Sequence, residues 1–249
     1  MSESKTDPLI YERGTIGRGN RRGSRHPSIV ASMRVEIFSD IVCPWCYIGK
    51  RRFDTAVANL ASRGVELDLE MVFKPFQLDP TASPNEATPV SEAYAAKFGG
   101  QERAAEILAH VTEIATKDNI EFRMDRALRA NTMLAHQLLF IAQRDHGSRL
   151  QTQLEEHLFK AYFTDGANIG DIDVLVSCAA EAGMNADQTR MFLTRGEGIA
   201  EVEAELRVAA ASGISAVPTF VFNGQWSVPG AQDVEVLEQV LLRLNERGQ

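Results

Sequence analysis

The sequence predicts an α/β domain of βαβ…ββα order, interrupted by a large all-helical insertion. Three observations predict it. A strand-like run passes through a Cys-x-x-Cys pair into a helix near residue 43. Helical patterning then fills residues 90–212, and a hairpin followed by an amphipathic helix closes the chain.

Residues 1–32 stand apart, rich in Arg, Gly and Ser (Arg13, Arg18, Arg21, Arg22, Arg25), and read as a disordered tail. No apolar segment follows the Arg21–Arg22 pair, which disfavours an export signal, and Met33 offers a second start. Val35-Glu36-Ile37-Phe38 reads as a strand ending in a turn at Ser39-Asp40. Cys43 to about Ser62 reads as a helix with Pro44 in its first turn, where a missing N–H costs nothing, and Gly64 closes it. Val65 to Phe73 alternates apolar and acidic residues like a second strand. Strand, crossover helix and strand imply a parallel pair.

Lys74 to Pro89 reads as loop. In the helical stretch, Asn131, Asp171 and Asn185 each open a helix, and Gly147, Gly183 and Gly196 end them. Thr219–Phe222, the turn Asn223-Gly224 and Gln225–Val228 read as a hairpin, followed by a helix from about Gln232 to Asn245. Residues 33–80 and 213–249 thus form one domain, with residues 81–212 inserted.

The 249 residues carry a net charge of −8, which argues against nucleic-acid partners. No apolar run approaches a membrane span, and the expected location is the cytoplasm. Three cysteines are too few for a disulfide-stapled scaffold, and two of them form Cys43-Pro44-Trp45-Cys46. At a helix N-terminus the dipole and free N–H groups stabilise a thiolate, which favours Cys43 as an exposed nucleophile. Residues three apart share a helix face, so Cys46 is placed to resolve a disulfide on Cys43. Zinc needs four ligands, and no second CxxC or HxxxH accompanies this pair, so thiol chemistry is favoured over a metal. Downstream, Val217-Pro218 precedes a strand. A cis bond there would leave backbone groups near Val217 free to pair with a substrate peptide.

Ser39-Asp40-Ile41-Val42-Cys43-Pro44-Trp45-Cys46-Tyr47-Ile48-Gly49-Lys50, with Ala216-Val217-Pro218-Thr219-Phe220 and Gly230-Ala231-Gln232, resembles the DsbA family. The FrnE-like branch, related to kappa-class glutathione transferases and 2-hydroxychromene-2-carboxylate isomerases, fits best. Lys74–Pro80, Asn131-Thr132 with Ala135-His136, and Ala161-Tyr162-Phe163 add to the likeness. The resemblance implies a thioredoxin-like fold, a cis bond at Pro218, and protein or small-molecule thiols and disulfides as substrates. It needs no metal or organic cofactor, with glutathione a candidate co-substrate, and it leaves the oligomeric state open, a homodimer included. Catalysis falls to Cys43, Cys46 and Pro218, and substrate contact to Pro44, Trp45, Val217, Thr219, Asn131 and Lys74.

Isomerases of the superfamily typically carry Ser at the position of Cys43, so the dithiol favours an oxidoreductase. A glutathione-dependent isomerase or transferase is the alternative, and a chaperone-like binding module with a vestigial CxxC is a weaker one. Periplasmic DsbA enzymes carry His where this chain has Trp45. Asp40 reads equally as a proton acceptor for the resolving thiol or as a turn residue. Asn131 reads first as a helix cap, His136 as a packing residue and Cys178 as a small buried apolar side chain.

Overall fold

The computed structural model describes residues 11–12, 32–84 and 86–248. The tail expected to be disordered lies outside these except for Ser32 and Tyr11–Glu12, the latter forming a short edge strand, β1. Strand β2 (Met33–Ser39) is an inner strand of the five-stranded sheet. Helix α1 (Pro44–Ser62) carries the chain over to β3 (Leu69–Pro75), which pairs parallel with β2 from Met33↔Leu69 to Ser39↔Pro75. On the other side β6 (Thr219–Phe222) pairs antiparallel with β2, and β7 (Trp226–Pro229) with β6, giving the order β1-β7-β6-β2-β3.

The alternation along β2 and β6 assigns the two faces of the sheet. Val35, Ile37, Phe220 and Phe222 pack with Phe53 and Leu60 of α1 and with Leu237, Val240 and Leu241 of α9 (Val234–Gly248). Phe38 and Val221 point the other way, onto Ala209 of α8 (Ile199–Ala211) and Ile214. Helix α8, which the sequence pattern groups with the insertion, therefore packs on the sheet itself.

The inserted segment comprises β4 (Thr88–Pro89), α2 (Val90–Phe98), α3 (Gln101–Lys117), β5 (Leu128–Arg129), α4 (Met133–His146), α5 (Ser148–Phe163), α6 (Ile172–Glu181) and α7 (Ala186–Arg195). Its core, built on Leu138, Leu154, Leu158, Phe159 and Phe163, extends without a break to Ile41, Tyr47 and Ile48 of the βα junction. Asp171 and Asn185 cap their helices as expected, accepting from the N–H groups of Asp173 and Gln188. Among the described residues no helix is long and apolar enough to cross a membrane.

Three boundaries differ from expectation, each because strand pairing decides them. The second strand starts at Leu69, not Val65, because its pairing with β2 among the described residues begins at Met33↔Leu69. Lys74 and Pro75 belong to that strand, with Pro75 tolerated at its end. Thr88–Pro89 pairs with Leu128–Arg129 and is not loop. The open edge of β3 is covered by Gln151 of α5, whose amide accepts from Phe73 N at 2.8 Å and donates to Phe73 O at 3.0 Å.

Phe53 is fully buried and stacks on Phe220, ring centroids 5.4 Å apart. Phe53→Ala is expected to cost about 3–5 kcal/mol in urea unfolding. A loss below about 1 kcal/mol would show that α1 is not anchored to the sheet by this contact.

Candidate active site

The Cys43 backbone is extended, φ −86° and ψ 111°, and its N–H donates to Asp40 O at 2.9 Å, closing a turn before α1. Pro44 begins the helix, and Cys46 N donates to Cys43 O at 3.0 Å. Both cysteines are free thiols at the N-terminus of α1. The Cys43 thiol faces Val217 O at 3.8 Å, and the Val217–Pro218 bond is cis, as the resemblance implied. Gly49 makes this approach possible. A Cβ there would lie 2.9 Å from Pro218 Cγ and 3.4 Å from Ala231 Cβ.

Burial, then hydrogen bonding and charge from Cys43, push the Cys46 thiol well above its ordinary value. The backbone of Asp40 and the hydroxyl of Ser39 offset part of this. Cys43 is not the exposed residue expected from the sequence: it is 3% exposed against 2% for Cys46. The inserted helices account for that. Cys43 belongs to the insertion's apolar core, with Tyr162 of α5 in the same cluster and Tyr94 of α2 packed against it. Burial above all raises both phenols, with the Cys43 charge a smaller cause. Trp45 is 40% exposed, as expected for a residue between the two cysteines. A groove of about 560 Å³ is lined by Val42, the residue before Cys43, by Leu78, Tyr94, Phe98 and Tyr162, and by charged side chains such as Glu92 and Arg129.

Helix α1 is tied to α5 by a polar latch. Tyr47 Oη donates to Glu156 at 2.8 Å, and Lys50 Nζ bridges Asp54 and Glu156, each at 2.7 Å. The Tyr47 ring stacks on Phe159 at 4.8 Å. Behind Cys46, Asp40 is fully buried and accepts from Leu78 N at 2.7 Å. His136 Nε2 donates to Phe76 O at 2.9 Å and lies 3.4 Å from Asp40 Oδ1. Ser39 Oγ donates to Glu155 Oε1 at 3.0 Å. Burial outweighs the help Glu155 receives from His136, Ser39 and Lys50, and raises its carboxyl to about 7.

The structure brings Cys43, Cys46, Pro44, Trp45, Val217 and Pro218 together at one junction. Three other candidates have local duties. Thr219 is buried, and its hydroxyl donates to Ala216 O at 2.8 Å. Asn131 donates to Ala82 O at 2.8 Å and accepts from Met133 N at 2.9 Å, so its side chain takes the first N–H of α4 from one position before Thr132, whose own side chain makes no capping bond. Lys74 pairs with Glu205 of α8 and lines a second cavity, outside the groove that begins at Val42. Cys178 is buried in the insertion core. Ser39, Glu155 and the Lys50–Glu156 latch were missed. Their one signal is that Gln151 and Glu155 fall on the apolar stripe of Leu154 and Leu158.

Residues 34–242 match the model of the DSBA-like thioredoxin domain family. The chain belongs to that family. It is 34% identical to a probable DsbA oxidoreductase of Streptomyces coelicolor whose crystal structure superposes with a TM-score of 0.76, covering 85% of this chain and 89% of that one. It is 28% identical over 213 residues to YwbO, an uncharacterised protein of Bacillus subtilis (strain 168), covering 84% of this chain and 96% of YwbO. A 2-hydroxychromene-2-carboxylate isomerase shares the fold at 13% identity and a TM-score of 0.61, over 86% of this chain and 97% of that one. The thioredoxin-like fold of this DsbA-type chain and the family kinship read from its motifs are thereby shown.

Two outcomes follow from this geometry. Ala normally stabilises a helix interior over Gly by about 0.5–1 kcal/mol. Gly49→Ala is expected to reverse that sign, lowering stability in urea and slowing reaction with a model disulfide, because Pro218 must move. A gain in stability would show the contact to be slack. The Glu155 carboxyl is raised from an ordinary 4.5 to about 7 in the folded protein. The folded state therefore holds a proton that the unfolded chain has released, and stability falls as pH rises from 4.5, with the loss complete above 7. Glu155→Gln is expected to remove about 3 kcal/mol of this decline, read as the difference in urea stability between pH 4.5 and pH 8. A decline equal to the parent's would show that Glu155 ionises freely.

Proposed function

We propose that this DsbA-type protein is a thiol–disulfide oxidoreductase that exchanges disulfides through Cys43 and Cys46. The observation that carries the reading is the asymmetry of the two thiols at the N-terminus of α1. Cys43 faces the Val217 carbonyl beside the cis Val217–Pro218 bond, one residue after the groove-lining Val42, whereas Cys46 is held in the protonated form by burial and by Cys43.

In the reducing direction, the Cys43 thiolate attacks a substrate disulfide. A Cys43–substrate S–S bond forms, the substrate's S–S bond breaks, and one substrate thiol leaves. Two of the three influences that raise Cys46 come from Cys43, and both weaken once Cys43 carries no charge. Cys46 then ionises more readily and attacks Cys43 Sγ. The internal disulfide forms, the mixed disulfide breaks and the second substrate thiol departs. Oxidation of a substrate dithiol runs the same steps backwards.

The groove that begins at Val42, with the exposed Leu78 and Phe98 in its lining, suits an apolar side chain near the reacting disulfide of a protein or small-molecule substrate, and the exposed Trp45 lies between the two cysteines. Glutathione serves as a partner thiol in this reading, no resident cofactor is invoked, and the setting is the cytoplasm, where a lone CxxC pair is ordinarily catalytic.

Cys46→Ser is expected to accumulate a mixed disulfide on Cys43, visible by mass, with turnover of a disulfide substrate reduced at least about 100-fold. Cys43→Ala is expected to abolish both adduct and turnover. Full activity of Cys46→Ser with glutathione would contradict the dithiol mechanism and favour the isomerase alternative, which needs one sulfur.

A further inference from the structure

We propose that Arg52 is a positioning residue that braces the Gly230-Ala231-Gln232 segment against α1 and so fixes the Val217–Pro218 turn along which an extended substrate peptide lies. This rests on the dithiol reading above and deepens it, by naming peptide disulfides as the substrates for which the turn is set.

The Gly230-Ala231-Gln232 motif supports that turn from behind. Gly230, in the left-handed region at φ 80°, bends the chain so that its N–H donates to Pro218 O at 2.7 Å. Ala231 then lies against the bare backbone of Gly49, and both Ala231 and Val217 pack on the insertion's core. Gln232 holds the bend locally: its N–H donates to Gly230 O at 3.0 Å, and its side-chain amide to Pro229 O at 2.6 Å. The Ala231 carbonyl accepts from Arg52 Nη1 at 3.1 Å.

Arg52 stands three residues after Gly49, on the same face of α1. Its guanidinium reaches in two directions. Nη1 also donates to Asp233 Oδ1 at 2.9 Å, just before α9, and Nε donates to Asp118 Oδ2 at 2.9 Å. Asp118 follows the last turn of α3, where the helix dipole disfavours a carboxylate. Arg52 offsets that cost, and the pair is largely buried, with side-chain exposures of 16% and 15%. One side chain thus joins α1, the insertion and the loop after β7. A planar fork suits this task, whereas a lysine ammonium is a point charge that cannot face acceptors on two sides.

The consequence falls on Val217. Pairing of β6 with β2 and β7 begins at Thr219, so the Val217 backbone lies outside the ladder. Its carbonyl faces the Cys43 thiol at 3.8 Å, and the support behind it runs from Pro218 through Ala231 to Arg52. Without Arg52 the Ala231 carbonyl loses its donor and the turn is freer to move off α1. A peptide disulfide must pair with the Val217 backbone while its sulfur meets Cys43 Sγ, so it depends on that placement. A small disulfide has no peptide backbone and needs only the sulfur.

The test mixes the reduced full chain with an excess of a cystine-bridged peptide or of bis(2-hydroxyethyl) disulfide. Formation of the Cys43–Cys46 disulfide is followed by acid quench, alkylation and mass, each substrate disulfide being reduced to two thiols as the pair is oxidised. The quantity read is the ratio of the two rate constants, peptide over small disulfide, because a loss of folded protein lowers both alike. Arg52→Gln is expected to lower this ratio at least about 10-fold. Arg52→Lys, which keeps the charge but not the fork, is expected to stay within about threefold of Arg52→Gln. Asp118→Ala frees one side of the guanidinium and is expected to lower the ratio at least about threefold, which keeps the test open if the Arg52 variants fold poorly. A ratio equal to the parent's in Arg52→Gln or in Asp118→Ala, or restored in full by Arg52→Lys, would overturn the brace and leave the dithiol reading standing. Failure of the parent to form an internal Cys43–Cys46 disulfide with either substrate would overturn the dithiol reading, and the brace with it.

Discussion

The arrangement depends on how closely α1 approaches the loop before β6. Gly49 has no side chain where Pro218 Cγ and Ala231 press against the helix, and that absence lets the first turn of α1 lie beside Val217. The Cys43 thiol and the Val217 carbonyl then fall 3.8 Å apart, although 174 positions separate them in the chain. The sheet enforces the same approach from below. β2 delivers Cys43 and β6 follows Pro218, and these two strands are paired from Val35↔Phe222 to Phe38↔Thr219. Phe53 lies between α1 and the sheet, so packing, pairing and the missing Cβ act on one junction.

The insertion is part of this junction. Its apolar core is continuous with Ile41, Tyr47 and Ile48, and it holds α1 by polar contacts at Glu156, with Tyr47 and Lys50, and at Asp118, with Arg52. The insertion's core, which takes in Cys43 together with Tyr162 and has Tyr94 packed against it, explains why a thiol at a helix start, normally a wet position, is hidden here. Gln151 does similar work on β3: its side-chain amide takes the N–H and C=O of Phe73 that a further strand would otherwise use. Next to it on α5, Glu155 reaches Ser39 at the end of β2. One helix thus covers a sheet edge and supplies a buried acid behind the cysteine pair.

What was legible in the sequence is what local chemistry determines. The CxxC at a strand-to-helix junction, the proline before β6, the Asn223-Gly224 turn and the caps at Asp171 and Asn185 each carry their signal within a few residues. Boundaries that depend on a partner strand were less legible: Val65 and Leu67 alternate like a strand, yet among the described residues the pairing with β2 begins only at Leu69. The burial of Cys43 was not legible either, because the residues that cover it are some 50 to 120 positions away. Thr219, Asn131 and Lys74 belong to motifs that carry the family likeness, but their polar groups are engaged in holding the backbone or pairing with Glu205. Glu155 gave only the faint sign of a carboxylate on an apolar helix face.

The central claim is that Cys43 and Cys46 act as one redox pair, and the most direct test is their equilibrium in glutathione buffers, read by alkylation and mass. The account predicts a reversible two-electron transition between dithiol and internal disulfide. Accumulation of a single glutathione adduct on Cys43, with no internal disulfide at any ratio of oxidised to reduced glutathione, would contradict it.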